Sequence, residues 1–195
     1  MKPLVLTSSV AAVAFWGTLI AWTAGEFYMW RLRGAGAQAG ADRTGILAAA
    51  TGSGGILGGV WAASNVTGAG IAGGRTWPVV AGLAVIYAGL ALRSWSIATL
   101  GRYFTYAVQV ERGQRVIQHG PYSVVRHPGY AGFLLAHSGT GLALDNWLSL
   151  AIATLLPLVG ILVRVRVEED ALVRELGDTY RSYCLRTRRL VPGIW

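Results

Sequence analysis

The chain is short of charged residues and of cysteine. Charged residues make up 13% of it, about half the share that is usual for a soluble domain, which argues against a water-soluble protein. Cys184 is the only cysteine, so an intrachain disulfide is excluded. The net charge is +8, but the basic residues flank apolar runs and form no nucleic-acid-binding motif. We therefore expect contact with anionic lipid and no nucleic-acid partner.

Metal-binding and nucleotide-binding patterns are also missing. The histidines, His119, His127 and His137, have none of the spacings typical of metal ligands, so we predict no metal. The glycines of segment 45–66 and the run Gly68-Ala69-Gly70 are not set between a strand and a helix, as a nucleotide-binding loop would be. They favour close helix packing.

Long apolar runs are abundant. A bilayer-spanning helix needs about 20 mostly apolar residues, and the segments that meet or approach this length are 4–30, 45–66, 77–100, 130–144 and 147–165. The first exceeds the apolar region of a signal peptide, and we interpret it as a retained span. The last two are separated only by Asp145 and Asn146, which predicts a tight turn. Because the fourth run is short, this pair either crosses the bilayer or stops part-way.

These runs predict an all-α integral membrane protein of about five transmembrane helices. Its length suits a single membrane domain, 1–195, with N-terminal spans in 1–92 and the chemistry in 93–195. Basic residues lie after the first span, after the third span and in the tail: Arg31, Arg33, Arg43; Arg102, Arg112, Arg115, Arg126; and Arg174, Arg181, Arg186, Arg188, Arg189. The positive-inside rule then predicts an external N-terminus and a cytoplasmic C-terminus, in a multi-pass protein of the inner (plasma) membrane.

Two polar segments lie outside the predicted spans. Residues 101–126, the connector, are broken at Gly113 and at Gly120-Pro121 and read as a cytoplasmic loop with a turn. Segment 167–185 is amphipathic, and Gly177 is expected to end one helix before a second begins. Its apolar positions follow a helical spacing: Ala171, Leu172, Leu176, Tyr180 and Tyr183.

Ionisable residues within apolar runs are candidate sites, because burying charge in lipid is costly. Glu26 and Arg93 lie in the first and third spans, and they either line a substrate cavity or pair with each other. Arg164 and Glu168 are four residues apart on one helix face. They form either a functional pair or an interfacial salt bridge with snorkelling arginines.

A second candidate is the run Arg126-His127-Pro128-Gly129-Tyr130. Proline suits the first turn of a helix, where free N–H groups can receive an anion. The alternative is a plain helix start with His127 and Tyr130 as interface anchors.

Several ordered motifs resemble one enzyme family. Residues 120–132 fit G-x-Y-x-x-x-R-H-P-x-Y-x-G, residues 164–169 fit R-x-x-x-E-E, and residues 176–183 resemble F-G-x-x-Y-x-x-Y. Residues 100–104 fit L-G-x-x-F, and Arg188, Leu190 and Pro192 resemble an R-x-x-P ending. Together they resemble the isoprenylcysteine carboxyl methyltransferase family over residues 93–195. Related integral membrane methyltransferases share the general pattern.

The resemblance implies a cytoplasmic C-terminal pocket for S-adenosyl-L-methionine. The residues it assigns to the cofactor are Gln109, Gln114, Arg115, Val116, Ile117, Tyr122, His127, Pro128, Gly129, Tyr130 and Glu168. It assigns catalysis to Arg164 and Glu168. It also makes Arg164 the substrate-side arginine, to which the charge argument adds Glu26 and Arg93.

We expect methyl transfer to a lipophilic small molecule, prenylated or lipid-like, that enters from membrane lipid. No obligate protein partner is evident. A carboxylate acceptor would be aligned by Arg164, which makes carboxyl O-methylation the first expectation. An amine acceptor would need Glu168 or Glu26 instead. The alternatives are a phospholipid-type N-methyltransferase and an NADPH-dependent sterol-type membrane reductase. A transporter is disfavoured, because paired broken helices and an internal repeat are not evident.

Overall fold

The fold is a bundle of helices. The structure is a computed structural model that describes residues 2–33, 43–110 and 113–193. Arg112 and the side chain of Arg33, both counted among the basic flanks, lie outside what is described. The helices are α1 (Leu4–Thr7), α2 (Ser9–Arg33), α3 (Arg43–Asn65), α4 (Trp77–Leu100), α5 (Pro128–Ala143) and α6 (Trp147–Arg186). The predicted all-α fold is confirmed.

Four helices among the described residues are long and apolar enough to cross a membrane, namely α2, α3, α4 and α6. Their outward faces carry large apolar side chains, with Val13, Leu57, Val80 and Leu155 all more than half exposed. Such faces suit a hydrocarbon solvent. Helix α5 has only 16 residues, which is about 24 Å of helix. It is the short fourth segment of the prediction.

One predicted span is interrupted in the structure, and two neighbouring predicted segments join. The first span is interrupted at Ser8, whose backbone is extended (φ −105°, ψ 124°). It follows Thr7, whose hydroxyl bonds back to the Pro3 carbonyl, an alternative to regular helix that hydroxyl residues offer. The apolar span 147–165 and the amphipathic segment 167–185 form one helix, α6, which ends at Arg186. The predicted break at Gly177 is confirmed, since that glycine has φ 55° inside α6.

Helices α4 and α5 pack with their backbones in near contact. A Cβ atom added at Gly89 would lie 2.5 Å from the Gly132 carbonyl oxygen, and one at Gly132 would lie 2.5 Å from the Gly89 carbonyl oxygen. Real Cβ atoms do not approach so closely, so glycine permits this packing. The contact also holds the start of α5 against Arg93 on α4, because a Cβ atom added at Gly132 would lie 3.1 Å from the Arg93 Cβ.

The turn between α5 and α6 is fixed by side-chain hydrogen bonds. The Asn146 side chain caps α6 by accepting from the Leu148 and Ser149 N–H groups. The Asp145 carboxylate accepts from the Ala72 and Gly74 N–H groups at 2.7 Å each. The predicted tight turn is confirmed, and it sets α6 antiparallel to α5.

Candidate active site

A cavity opens where α4 ends and α5 begins. It contains about 950 Å³ of empty space, including space continuous with the solvent. Its wall combines the end of α4, the connector, the start of α5 and the part of α6 from Arg164 to Tyr183. These are the segments that carry the sequence motifs.

Most predicted site residues meet at this wall. Those that line it are Arg93, Gln109, Gln114, Arg115, Val116, Ile117, Tyr122, His127, Gly129, Tyr130, Arg164 and Glu168. Pro128 is fully buried and is not a wall residue. Glu26 is not a wall residue either, but it contacts Arg93, which is.

The start of α5 is built as predicted. His127 precedes the helix, Pro128 occupies its first turn, and the His127 carbonyl accepts the Tyr130 N–H at 3.1 Å. His127 is 4% exposed, and its ring stacks on Tyr130, with 5.7 Å between centroids. It lies 3.3 Å from the Glu169 carboxylate. The helix start therefore presents a buried imidazole and a phenol side by side.

Arg164 and Glu168 are linked through Tyr130. The Arg164 Nε–H donates to the Tyr130 hydroxyl oxygen at 2.6 Å, and that hydroxyl donates to Glu168 Oε2 at 2.7 Å. Arg164 is 5% exposed, so a guanidinium sits at the cavity wall away from bulk water. The sequence spacing predicted a pair of facing charges, and the structure adds a phenol between them.

Glu26 and Arg93 pair with each other inside the bundle. The Arg93 Nε–H and Nη2–H groups donate to the two Glu26 oxygens, the second at 2.7 Å. The Tyr106 hydroxyl donates to Glu26 Oε2 at 2.9 Å. Burial raises the pKa of Tyr106, and the neighbouring Glu26 charge adds to that effect, so the phenol stays protonated at neutral pH.

A clamp at Glu169 holds the α5 start against the tail, residues 187–193. Glu169 accepts from Arg126 Nε at 2.7 Å and from Arg189 Nε at 2.9 Å. Burial alone would lower the pKa of Arg126, but the hydrogen bond and charge of Glu169 raise it. Backbone bonds reinforce the clamp, because the Arg126 N–H donates to the Arg188 carbonyl at 2.7 Å. The tail motif thus supports the wall.

Several wall residues were not predicted as such. The amphipathic positions Ala171, Leu172, Leu176, Tyr180 and Tyr183 all line the cavity. Their helical spacing was visible in the sequence, but not what their apolar face would contact. Tyr122, which is 61 residues from Tyr183 in sequence, contacts this face, since its backbone carbonyl accepts a hydrogen bond from the Tyr183 hydroxyl at 2.6 Å. Burial raises the pKa of Tyr122.

Comparison with known proteins agrees with these motifs. The family model described as "Isoprenylcysteine carboxyl methyltransferase (ICMT) family" matches residues 81–174. A protein from Oryza sativa subsp. indica, named "Probable protein-S-isoprenylcysteine O-methyltransferase", is 34% identical over 115 residues, which are 58% of this chain and 60% of the relative. The protein-S-isoprenylcysteine O-methyltransferase of Tribolium castaneum is 33% identical over 120 residues, covering 60% of this chain and 43% of the relative.

A solved structure shares the fold. It is described as the eukaryotic intramembrane Ras methyltransferase ICMT, and it is 26% identical with a TM-score of 0.57. The match covers 76% of this chain and 52% of that one. The chain spans 60% or less of the length of these curated relatives. The motifs, the helical fold and the family match agree: residues 81–174 of this integral membrane protein match the model of the isoprenylcysteine carboxyl methyltransferase family, and the chain is similar to the named methyltransferases.

Proposed function

We propose that this protein is an S-adenosylmethionine-dependent methyltransferase that acts on a lipophilic carboxylate at the membrane interface. One observation carries the proposal. Residues of four separate family motifs line one cavity at the end of apolar helices, among them Phe104, Tyr130, Glu168 and Tyr180. A polar donor from water and an apolar acceptor from lipid can meet only at such a place.

The cavity residues suit the proposed cofactor. Glu168 is the only acidic residue among the described wall residues, and it would pair with the cofactor's amine. Tyr103 and Phe104 offer aromatic surface, and Val116 and Ile117 offer apolar surface, for the adenosine part. The start of α5 at His127 and Gly129 would receive the carboxylate. Bound S-adenosylmethionine would supply an electrophilic methyl group on a positively charged sulfur.

Arg164 is the residue we assign to the acceptor. Its guanidinium is buried at the wall, and Tyr130 fixes its Nε–H direction at 2.6 Å. A carboxylate beside it would be held as a charge-assisted pair. Alignment of the attacking oxygen and exclusion of water are the main contributions a protein can make to such a displacement.

The acceptor class follows from the relatives and the lipid setting. The curated relatives are named for O-methylation of S-isoprenylcysteine. We propose a small prenylated or lipid-like acid as the acceptor, reached from the bilayer. We also propose a single domain, in which 1–92 supplies spans and 93–195 most of the cavity, with the C-terminus on the cytoplasmic side of the plasma membrane.

The decisive experiment separates cofactor and product classes. Purified protein in nanodiscs is titrated with S-adenosylmethionine and, separately, with NADPH. It is then incubated with methyl-labelled S-adenosylmethionine and an S-prenylated cysteine. We expect saturable binding of S-adenosylmethionine and a product that releases labelled methanol in alkali, because methyl esters hydrolyse there and methylamines do not. Alkali-stable product would indicate N-methylation, and binding of NADPH alone would indicate a reductase.

Matched variants test the assigned residues. Arg164→Ala should lower turnover about 100-fold or more, since a buried charge-assisted contact to the acceptor is removed. Arg166→Ala, at an exposed arginine two residues further on α6, should retain turnover. Glu168→Gln should weaken cofactor binding, whereas Glu175→Gln, at an exposed position, should not. Equal activity of Arg164→Ala and Arg166→Ala would contradict the assignment.

A further inference from the structure

We propose that Glu26, on the N-terminal helix α2, is a positioning residue that holds connector residues 104–110 over the cavity through Tyr106. This inference rests on the proposed function. It goes beyond the family match, because Glu26 lies outside residues 81–174. Its consequence is that α2 contributes to cofactor retention without lining the cofactor site.

Tyr106 is held at both ends. Its hydroxyl donates to Glu26 Oε2 at 2.9 Å, and its backbone carbonyl accepts from Arg164 Nη2. Two helices that are far apart in sequence, α2 and α6, therefore grip one connector residue. Because both its side chain and its backbone are hydrogen-bonded, Tyr106 cannot move without breaking at least one of these two bonds.

The neighbours of Tyr106 form part of the cavity wall. Residues Phe104, Thr105, Ala107, Val108 and Gln109 all line the cavity. The Phe104 ring packs edge-on against Tyr106, with 5.2 Å between centroids. A displacement of Tyr106 therefore moves wall residues on both sides of it.

Glu26 is itself rigidly placed. Arg93 donates to both of its carboxylate oxygens, and Arg93 is fixed in turn by the Gly129 carbonyl at 3.3 Å. The Arg93 guanidinium also lies 5.3 Å from the centroid of the Phe133 ring. These contacts form a closed series of hydrogen bonds. Gly129 is followed in sequence by Tyr130, the Tyr130 hydroxyl accepts from Arg164, and Arg164 donates to the Tyr106 carbonyl.

The geometry favours a positioning role over a chemical one. Both Glu26 oxygens accept hydrogen bonds from Arg93, and Oε2 accepts one from Tyr106 as well. A carboxylate so engaged is a weak base and a poor partner for an incoming amine. Glu26 is absent from the cavity wall, whereas its partner Arg93 is part of it.

The test compares cofactor and acceptor parameters in single variants. Tyr106→Phe removes only the hydroxyl, and Glu26→Gln removes the charge. The control is Tyr28→Phe, at an exposed position on the same helix. Calorimetry in nanodiscs gives the Kd for S-adenosylmethionine, and steady-state assays give KM for each substrate. Hydrogen exchange reports on residues 104–110.

We expect Tyr106→Phe to raise the Kd and KM for S-adenosylmethionine about 10-fold, as loss of a hydrogen bond to a charged group would. The acceptor KM and kcat at saturation should stay within about 2-fold, and exchange in 104–110 should accelerate. Glu26→Gln weakens the same contact and should also raise this Kd, but it additionally lowers stability because Arg93 loses its counter-charge. The effects of the two changes on the Kd should not add fully, because both act on the Glu26–Tyr106 contact. The control should match the parent protein.

Other outcomes overturn the inference. If Tyr106→Phe left both the Kd for S-adenosylmethionine and the hydrogen exchange of residues 104–110 unchanged, the Tyr106 hydroxyl would not hold this segment in place. A raised acceptor KM with an unchanged Kd would assign Glu26 to the acceptor. If Glu26→Gln does not fold, Tyr106→Phe alone decides. If the parent protein binds no S-adenosylmethionine, the proposed function fails. The Glu26–Tyr106 contact is still tested by comparing hydrogen exchange of residues 104–110 in Tyr106→Phe and in the parent protein.

Discussion

At the scale of single residues, the Tyr130 hydroxyl organises the charges of the cavity. It uses its hydrogen for Glu168 and a lone pair for Arg164, at 2.7 Å and 2.6 Å. Because both functions of one oxygen are committed, the direction of its O–H bond is fixed. The cation assigned to the acceptor and the anion assigned to the cofactor are thereby held in one spatial relation.

Replacing Tyr130 with phenylalanine should disturb catalysis more than stability. The ring would still pack on His127, but Arg164 and Glu168 would each lose a partner. We expect kcat/KM to fall about 10- to 100-fold, in line with losing hydrogen bonds to charged groups. Steady-state assays and thermal unfolding in detergent measure the two effects. Tyr28→Phe serves as the control, and a Tyr130→Phe protein with parental kcat/KM would refute the bridging role.

The sequence predicted the charged residues of the site better than their connections. The four-residue spacing of Arg164 and Glu168 on one helix left a functional pair and an interfacial salt bridge open, and the family resemblance assigned both residues to the site. The Tyr130 bridge and the Tyr106 contact were not predicted. Tyr106 is 80 residues from Glu26 in sequence, and such a contact exists only once α2, α4 and the connector are packed.

At the scale of helices, the α4–α5 contact determines where the cavity forms. Gly89 and Gly132 face each other with their backbones in near contact. Arg93 follows Gly89 by one turn of α4, and Tyr130 precedes Gly132 at the start of α5. The spacing of these two helices therefore sets the distance between the wall residues they carry.

A methyl group at Gly89 should separate these helices. Its Cβ would lie 2.5 Å from the Gly132 carbonyl oxygen, and we expect Gly89→Ala to lower the free energy of unfolding by about 1–3 kcal/mol. Gly17→Ala is the matched control, because nothing lies within 4 Å of a Cβ there. That change should be neutral or stabilising by up to about 1 kcal/mol, since alanine favours helix. Unfolding titrations in mixed micelles measure both, and equal values would rule out the close contact.

Helix boundaries were predicted where the sequence marks them with special residues. The limits of α4 match the prediction, and Gly177 interrupts α6 as expected. Hydropathy indicated the lipid-exposed part of α6, 147–165, and helical spacing predicted the amphipathic part, 167–185; the structure shows that the two form one helix. The polar half of α6 lines the cavity and contacts the tail. These tertiary contacts cannot be read from a pattern in one sequence.

At the scale of the whole molecule, basic residues collect at one end of the bundle. The connector, the second half of α6 and the tail carry nine of the sixteen arginines, and the opposite end holds the Asp145-Asn146 turn. The positive-inside rule predicts that the basic end, and the cavity with it, faces the cytoplasm. That side is where a soluble nucleotide-derived cofactor is available.

Cysteine labelling tests this orientation. Cys184 is the only native cysteine, so Cys184→Ser gives a clean background for single additions. Ser64→Cys, exposed at the end of α3, should react with a membrane-impermeant maleimide in intact cells. Ser182→Cys, exposed near the end of α6, should react only after permeabilisation. The reverse pattern would invert the topology and remove the cofactor argument.

The length of helix α6 also sets the distance between the α5–α6 turn and the cavity. Arg164 stands 17 residues after Trp147, or about 26 Å along the axis, close to the hydrocarbon thickness of about 30 Å. We therefore expect the Asp145-Asn146 turn and the charged cavity to lie near opposite surfaces of the bilayer. A thicker or thinner bilayer should then change the depth of the cavity mouth relative to the lipid headgroups, so the surrounding lipid would be part of the site's geometry.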